Sequence, residues 1–224
     1  MRNHALEVPS ENLREKAYRI IKQRIINCQL APGSALNERE LVAEIGVSRT
    51  PIREALNRLE KENLVTIIPG RGSFVSSITV KEINDIYQLR EIIEPYVTGL
   101  VTPSFPEERL AFYRDAFLAL DQDDYDGLAR LDSEFHFLIM DTAENDRINQ
   151  VMANMYAQNQ RIRFRLTRQP ARLQETVDEH MAVIEAMLAR DPLKAQEAMR
   201  AHLIRSRQAA FKLSGDQMVF KPYM

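Results

Sequence analysis

The sequence predicts a mainly α protein in two parts: an N-terminal winged helix-turn-helix, made of three helices and a β-hairpin, then an all-α helical bundle. Three observations carry this. Apolar residues recur at three- and four-residue spacing through most of the 224 residues. One pair of β-branched or aromatic runs, Leu64–Ile68 and Ser73–Val75, flanks Pro69-Gly70-Arg71-Gly72 and reads as a hairpin. The charge balance changes sign along the chain: residues 1–77 carry 12 Lys+Arg against 9 Glu, and residues 78–224 carry 18 against 23 Asp+Glu. The domain boundary is therefore placed between residues 77 and 78.

Residues 1–10 read as a loose leader. Residues 11–28 form the first helix, with Leu13, Ala17, Ile20, Ile21, Ile25 and Cys28 on its buried stripe, and Ala31-Pro32-Gly33-Ser34 stops it. Asn37 and Glu40 have the spacing of a capping box, which starts a helix through Leu41, Val42, Ala43 and Ile45. Gly46-Val47-Ser48 is the short turn of a helix-turn-helix. Ser48 is an N-cap residue type, and Pro51 suits a first helical turn, where an amide has no helical partner. Ile52, Leu56 and Leu59 face the core, while Arg49 and Arg53 share another face near the leading end. Such an end suits the major groove, because guanidinium forks onto guanine edges or phosphate. A surface helix with solvated arginines is the bland alternative for this stretch alone. Gly70 and Gly72 allow close backbone approach, and Arg71 at the wing tip is placed to reach phosphate or minor groove.

No apolar run approaches the ~18–20 residues of a membrane span, and no signal peptide is visible. The lone Cys28 excludes an internal disulfide framework and suits a reducing cytoplasm. Cytoplasmic location without a membrane partner is therefore expected. One short recognition helix reads few base pairs, so a homodimer on an inverted-repeat operator is expected too.

The run Ala35 to Leu64, ALNERELVAEIGVSRTPIREALNRLEKENL, followed by IIPGRGSFV, resembles the DNA-binding domain of GntR-family transcription regulators. The resemblance covers nearly the whole first domain. It implies operator contacts from the second helix, the start of the third and the wing tip: Arg39, Ser48, Arg49, Thr50, Arg53, Gly70 and Arg71.

The linker Ser76-Ser77-Ile78-Thr79 ends in a second capping-box pattern, Thr79 with Glu82. Helices are predicted at 80–101 (bent or interrupted at Pro95), 107–121, 124–143, 147–168, 172–189 and 192–213, with a tail from Ser214. The short connections favour antiparallel neighbours in a bundle. Three of the four histidines lie here. Asp132 and His136 are four apart and share a helix face. His180 and His202 stand 11 residues before and after Asp191, at similar heights in an antiparallel helix hairpin. Three imidazoles and one carboxylate can thus converge on a divalent ion: Zn, Ni or Mn. Taken singly, each histidine is more often a satisfied core residue, and an Asp/His pair is often a simple hydrogen bond.

The same four residues resemble the FCD-type ligand-binding domain of the FadR subfamily, and six helices in a short chain resemble its VanR-like branch. That resemblance implies a divalent metal on Asp132, His136, His180 and His202, and a small carboxylate effector bound beside it. Arg90 matches an arginine on this domain's first helix; it is open between an effector carboxylate and an ion pair with a neighbouring glutamate. Arg161, Arg165 and Arg168 read as a solvated or interdomain stripe, with Arg163 off it. Met140, Met152, Met155, Met181 and Met187 read as core filling or an adaptable pocket. The leading expectation is a ligand-responsive, non-enzymatic regulator. The alternatives are a metal-only sensor and a metal-dependent hydrolase fused to a DNA module; Glu134, off the Asp132/His136 face, leaves the latter without a clear general base.

Overall fold

The computed structural model describes residues 12–166 and 170–217. The leader at 1–10, Arg168 and the end of the tail from 218 onward lie outside the described residues, as does the side chain of Arg165. The chain divides into two compact units, Met1–Ser77 and Ile78–Met224.

In the first unit, α1 (Leu13–Ile26) is capped by Asn12, whose side chain accepts from the Arg14 amide at 3.0 Å. Its buried face is Ala17, Tyr18, Ile21, Ile25 and Ile26. Leu13, expected on that face, is 53% exposed because it sits on the first turn, at the edge of the core; Ile20 is only half-buried. Tyr18 takes part in the core instead, with its hydroxyl donating to Glu62 at 2.7 Å. A short strand unforeseen in the sequence follows: β1 (Ala35–Leu36) pairs antiparallel with β3. α2 (Glu38–Ile45) is capped by Asn37, which accepts from the Arg39 amide, but the expected capping box is not reciprocal. Glu40 accepts from the Asn37 side-chain amide at 2.8 Å rather than from the cap's backbone. Gly46 ends α2 in the left-handed region, φ 73°, where any Cβ would be strained. α3 (Arg49–Lys61) buries Pro51, Ile52, Ala55, Leu56 and Leu59. β2 (Val65–Ile68) and β3 (Gly72–Val75) complete a three-stranded sheet of order β1-β3-β2, with Ile68 opposite Gly72 across the wing.

In the second unit, α4 (Val80–Val101) starts at a complete capping box between Thr79 and Glu82. It is neither interrupted nor ended at Pro95. The proline lacks the amide for one helical hydrogen bond, yet the helix runs on past it. α5 (Glu107–Leu118), α6 (Tyr125–Thr142), α7 (Asp146–Leu166), α8 (Pro170–Leu188) and α9 (Pro192–Gln217) follow. α5 ends three residues before its predicted limit. α9 continues through Ser214-Gly215, where a tail was expected, because one glycine costs a helix only about 1 kcal/mol. Asp191 caps α9, its carboxylate accepting from the Lys194 amide at 3.1 Å, so α8 and α9 form a tight antiparallel hairpin. The core runs from Val97, Phe105, Phe117 and Phe135 to Val183, Met187 and Leu203. Met140, Met152, Met155 and Met187 are buried in it and Met181 packs against it, so these methionines fill core space. No helix among the described residues is long and apolar enough to cross a membrane.

Candidate metal centre and DNA-reading face

The second unit gathers Asp132 and His136 from α6, His180 from α8 and His202 from α9. All four are buried, and one ligand atom from each lies within 4.8 Å of the others. The α8–α9 hairpin brings the two histidines on either side of Asp191 together, with ring centroids 4.4 Å apart. Asp132 Oδ1 is 2.9 Å from His180 Nε2, 3.5 Å from His136 Nε2 and 3.8 Å from His202 Nε2. His136 Nε2 and His202 Nε2 are 3.2 Å apart. Bonds of ~2.1 Å in tetrahedral array put neighbouring donor atoms roughly 3.4 Å apart, so the spacing suits one ion.

The outer nitrogens fix which way the inner ones point. His180 Nδ1 donates to the Thr176 carbonyl at 2.7 Å, and His202 Nδ1 donates to Glu179 Oε2 at 2.8 Å. His136 Nδ1 donates to Glu94 Oε2 at 2.5 Å. Each imidazole is thereby anchored through Nδ1 and turns Nε2 inward, the orientation that ligation needs. His136 Nε2 and His202 Nε2 are close enough to share one cation. His180 Nε2 itself is buried and has no hydrogen-bond partner among the described residues. The donor set fits a divalent ion of the zinc class.

Charge is arranged to match. Burial alone would raise the Asp132 carboxyl, but the Arg163 guanidinium, paired with Asp132 Oδ2, and His136 hold it well below the usual carboxylate range. Burial pushes the His202 imidazole well below its ordinary range, and His180 and His136 add to the effect. His202 is thus neutral at pH 7, as a ligand must be.

Three partners of this centre escaped the sequence reading. Arg163, set aside from the arginine stripe, also donates to Ser133 Oγ at 3.1 Å. Apart from these three, Arg161, expected at a solvated stripe, is buried. Glu179 binds His202 and is held bidentately by Arg172 at 2.7 and 2.9 Å. Glu94 binds His136 and Arg90 together, and its spacing of four from Arg90 was the available signal. Arg90, the candidate effector arginine, is fully buried. It takes the ion-pair option, with Nε 2.5 Å from Glu94 Oε1 and Nη2 3.5 Å from His136 Nδ1. With its oxygen turned toward the arginines, Asn159 accepts from Arg90 Nη1 at 2.8 Å and Arg163 Nε at 2.9 Å. The fit is mutual. Burial would raise Glu94, but Arg90 and His136 hold it well below the carboxylate range, while Glu94 raises Arg90 against the opposing effect of burial. Glu134 is exposed.

In the first unit, Arg39, Ser48, Arg49, Thr50, Arg53, Gly70 and Arg71 are all exposed. Ser48 occupies the N-cap position of α3, yet its side chain makes no capping bond. Arg39, Arg49 and Arg71 have no ion pair among the described residues. Arg53 differs: its Nε is 3.0 and 3.2 Å from the Glu38 carboxylate oxygens. Gly70 and Gly72 have φ of 75° and 103°, and a Cβ at either would meet nothing within 4 Å. Conformation, not crowding, calls for glycine in this wing.

Comparison with known proteins follows the same division. Residues 13–75 match the bacterial regulatory proteins of the gntR family, and residues 85–205 match the FCD domain. The chain is 27% identical over 199 residues to the HTH-type transcriptional repressor RspR of Escherichia coli strain K12, an alignment covering 87% of each chain. It is 31% identical over 192 residues to an HTH-type transcriptional regulator in an unstable DNA locus of Streptomyces ambofaciens, covering 85% of this chain and 81% of that one. Among solved structures, E. coli McbR/YncC superposes with a TM-score of 0.77 at 18% identity, over 90% of this chain and 98% of that one, which shows the shared fold. The chain belongs to the GntR family of bacterial regulatory proteins: it is a transcription regulator with a DNA-binding winged helix-turn-helix and a C-terminal FCD domain.

Proposed function

We propose that this regulator binds an inverted-repeat operator in the cytoplasm as a homodimer and senses a small carboxylate through one divalent metal ion. Asp132, His136, His180 and His202 hold the ion, which is Zn, Ni or Mn. The six-helix FCD unit suits the VanR-like branch of the FadR subfamily. The single observation that carries the reading is the set of three imidazoles, each fixed through Nδ1, whose Nε2 atoms converge on Asp132. A bound divalent ion supplies a Lewis-acidic position for an effector carboxylate. The chain's own part is to keep His202 neutral and all three imidazoles oriented, with Phe117 and Phe135 packed against His180. Arg90, buried and ion-paired with Glu94, is the effector-side cation in this reading and would meet the carboxylate from within that pair. Hydrolysis is disfavoured because Glu94 and Glu179, the buried carboxylates beside the histidines, are committed to arginine and imidazole and cannot serve as a free base.

Operator contacts are assigned to Arg39, Ser48, Arg49, Thr50, Arg53, Gly70 and Arg71. The homodimer is supported by an uncovered apolar stripe on α4: Leu89, Ile92, Tyr96 and Leu100 recur at helical spacing, with Ile92 69% exposed.

One observation favours a metal-only sensor: Arg90 is already satisfied by Glu94 and Asn159. An operator-release titration separates the two readings. Metal-loaded protein is mixed with operator and challenged with small mono- and dicarboxylates, and apo protein is challenged with metal alone. Release or tightening that requires both metal and acid supports the leading reading. A full response to metal alone, unaltered by any acid, supports the metal-only sensor.

A further inference from the structure

Tyr87 lies one turn before Arg90 on the same buried face of α4, its ring centroid 5.3 Å from the Arg90 guanidinium carbon. The ring is fully buried, packed with Ile83, Ile162 of α7 and Ala210 of α9. Its hydroxyl is nevertheless without a hydrogen-bond partner among the described residues. A buried phenol normally finds one, since an unsatisfied hydroxyl forfeits its hydration with nothing in return. If the position served packing alone, phenylalanine would fill it without that cost.

The surroundings say what the missing partner is. Tyr87 packs beside Arg90, whose guanidinium binds Glu94, which in turn binds His136. The charges acting on its phenol after burial are those of Arg90, Arg163, Asp132 and Arg172, three of them cationic. A donor hydroxyl in such company suits an acceptor oxygen that carries negative charge.

We propose that the Tyr87 hydroxyl is a specificity-determining donor for the effector, reading a second oxygen-bearing group, a distal carboxylate, on a molecule whose first carboxylate is held at the histidine centre. The inference rests on the sensor reading above and adds the chemical class: a small dicarboxylate rather than a simple monocarboxylic acid. A site that hydrogen-bonds an oxygen rejects the analogue lacking it, because its own buried polar group is then left unpaired.

The test compares Tyr87→Phe with wild type, both as full-length metal-loaded protein. Binding is measured by calorimetry with acids matched in carbon count: malonate against propionate, succinate against butyrate, glutarate against valerate. Wild type is expected to prefer one dicarboxylate over its partner by about tenfold or more, and Tyr87→Phe to reduce that ratio by about tenfold, the worth of one hydrogen bond. A ratio unchanged by the substitution, or a wild type that binds both members of every pair equally, overturns the Tyr87 assignment alone. Binding of no acid by the metal-loaded wild type overturns the sensor reading and this inference with it. A second measurement needs no ligand. Removing an unpartnered hydroxyl should leave the effector-free Tm level or raise it by roughly 2–4 °C. A fall of that size means that the hydroxyl has a structural partner, and overturns the inference.

Discussion

Protonation of single side chains carries much of this account. The His202 imidazole is held well below its ordinary range by burial and by His180 and His136. The folded metal-free chain therefore resists taking a proton that the unfolded chain accepts near pH ~6.5. The unfolded state then binds more protons, so stability falls as pH drops through that value, by about 1.4 kcal/mol per pH unit for this one site. Glu94 and Asp132 act lower down. Both are depressed in the fold, so their contribution is present above the ordinary carboxylate range and is lost as pH falls below it. Chelated protein melted between pH 7.5 and 5 should show the imidazole loss; a Tm constant across that range contradicts it. At the other end of the chain, Arg49→Ala should cost about 1–3 kcal/mol of operator affinity at one base position, if its contact is to a base edge. Arg71→Ala at the wing tip should weaken binding evenly across sequences and flatten its salt dependence. Both guanidinium groups are exposed, so circular dichroism should show intact folds. Unchanged operator affinity for both variants removes this face from the interface.

At the scale of elements, α4 does two jobs with two faces. Its inner face buries Tyr87 and brings Arg90 and Glu94 to His136, and its outer face leaves Leu89, Ile92, Tyr96 and Leu100 uncovered. Ile92→Glu places a charge in the middle of that stripe and should shift the protein from dimer to monomer in sedimentation at micromolar concentration. Any fall in Tm should reflect the lost dimer contact, because Ile92 contributes little to the core. A variant that remains dimeric moves the interface elsewhere. The helices, the wing and the convergence of Asp132 with three histidines were legible in the sequence, because each has a local period or a symmetric placement about a turn. β1 was not: two residues show no alternation, and their partners lie more than 35 residues away. Arg163, Glu94 and Glu179 escaped for a related reason. A buried ion pair is specified by which helix packs opposite, and Arg163 reaches Asp132 across 31 positions of sequence. Arg161 looked like a solvated cation because spacing alone does not say how deeply a helix face is buried.

For the molecule as a whole, regulation requires that the effector bind more tightly to one DNA-binding state than to the other, a coupling typically worth ~1–3 kcal/mol. The histidine centre is the natural origin of such a difference. It ties α6 to α8 and α9 through Asp132 and the three imidazoles, and to α4 through Glu94. An ion bound only by the folded state should also raise Tm, and chelation should lower it. All of this depends on whether these four residues bind metal. The most direct measurement is elemental analysis of the natively purified chain beside His180→Ala and His202→Ala, each confirmed folded by circular dichroism. The account predicts about one divalent ion per wild-type chain, as expected of a single four-ligand site, and loss of that ion in both variants. A metal-free wild type that still responds to a carboxylate, or full occupancy in either alanine variant, would contradict it.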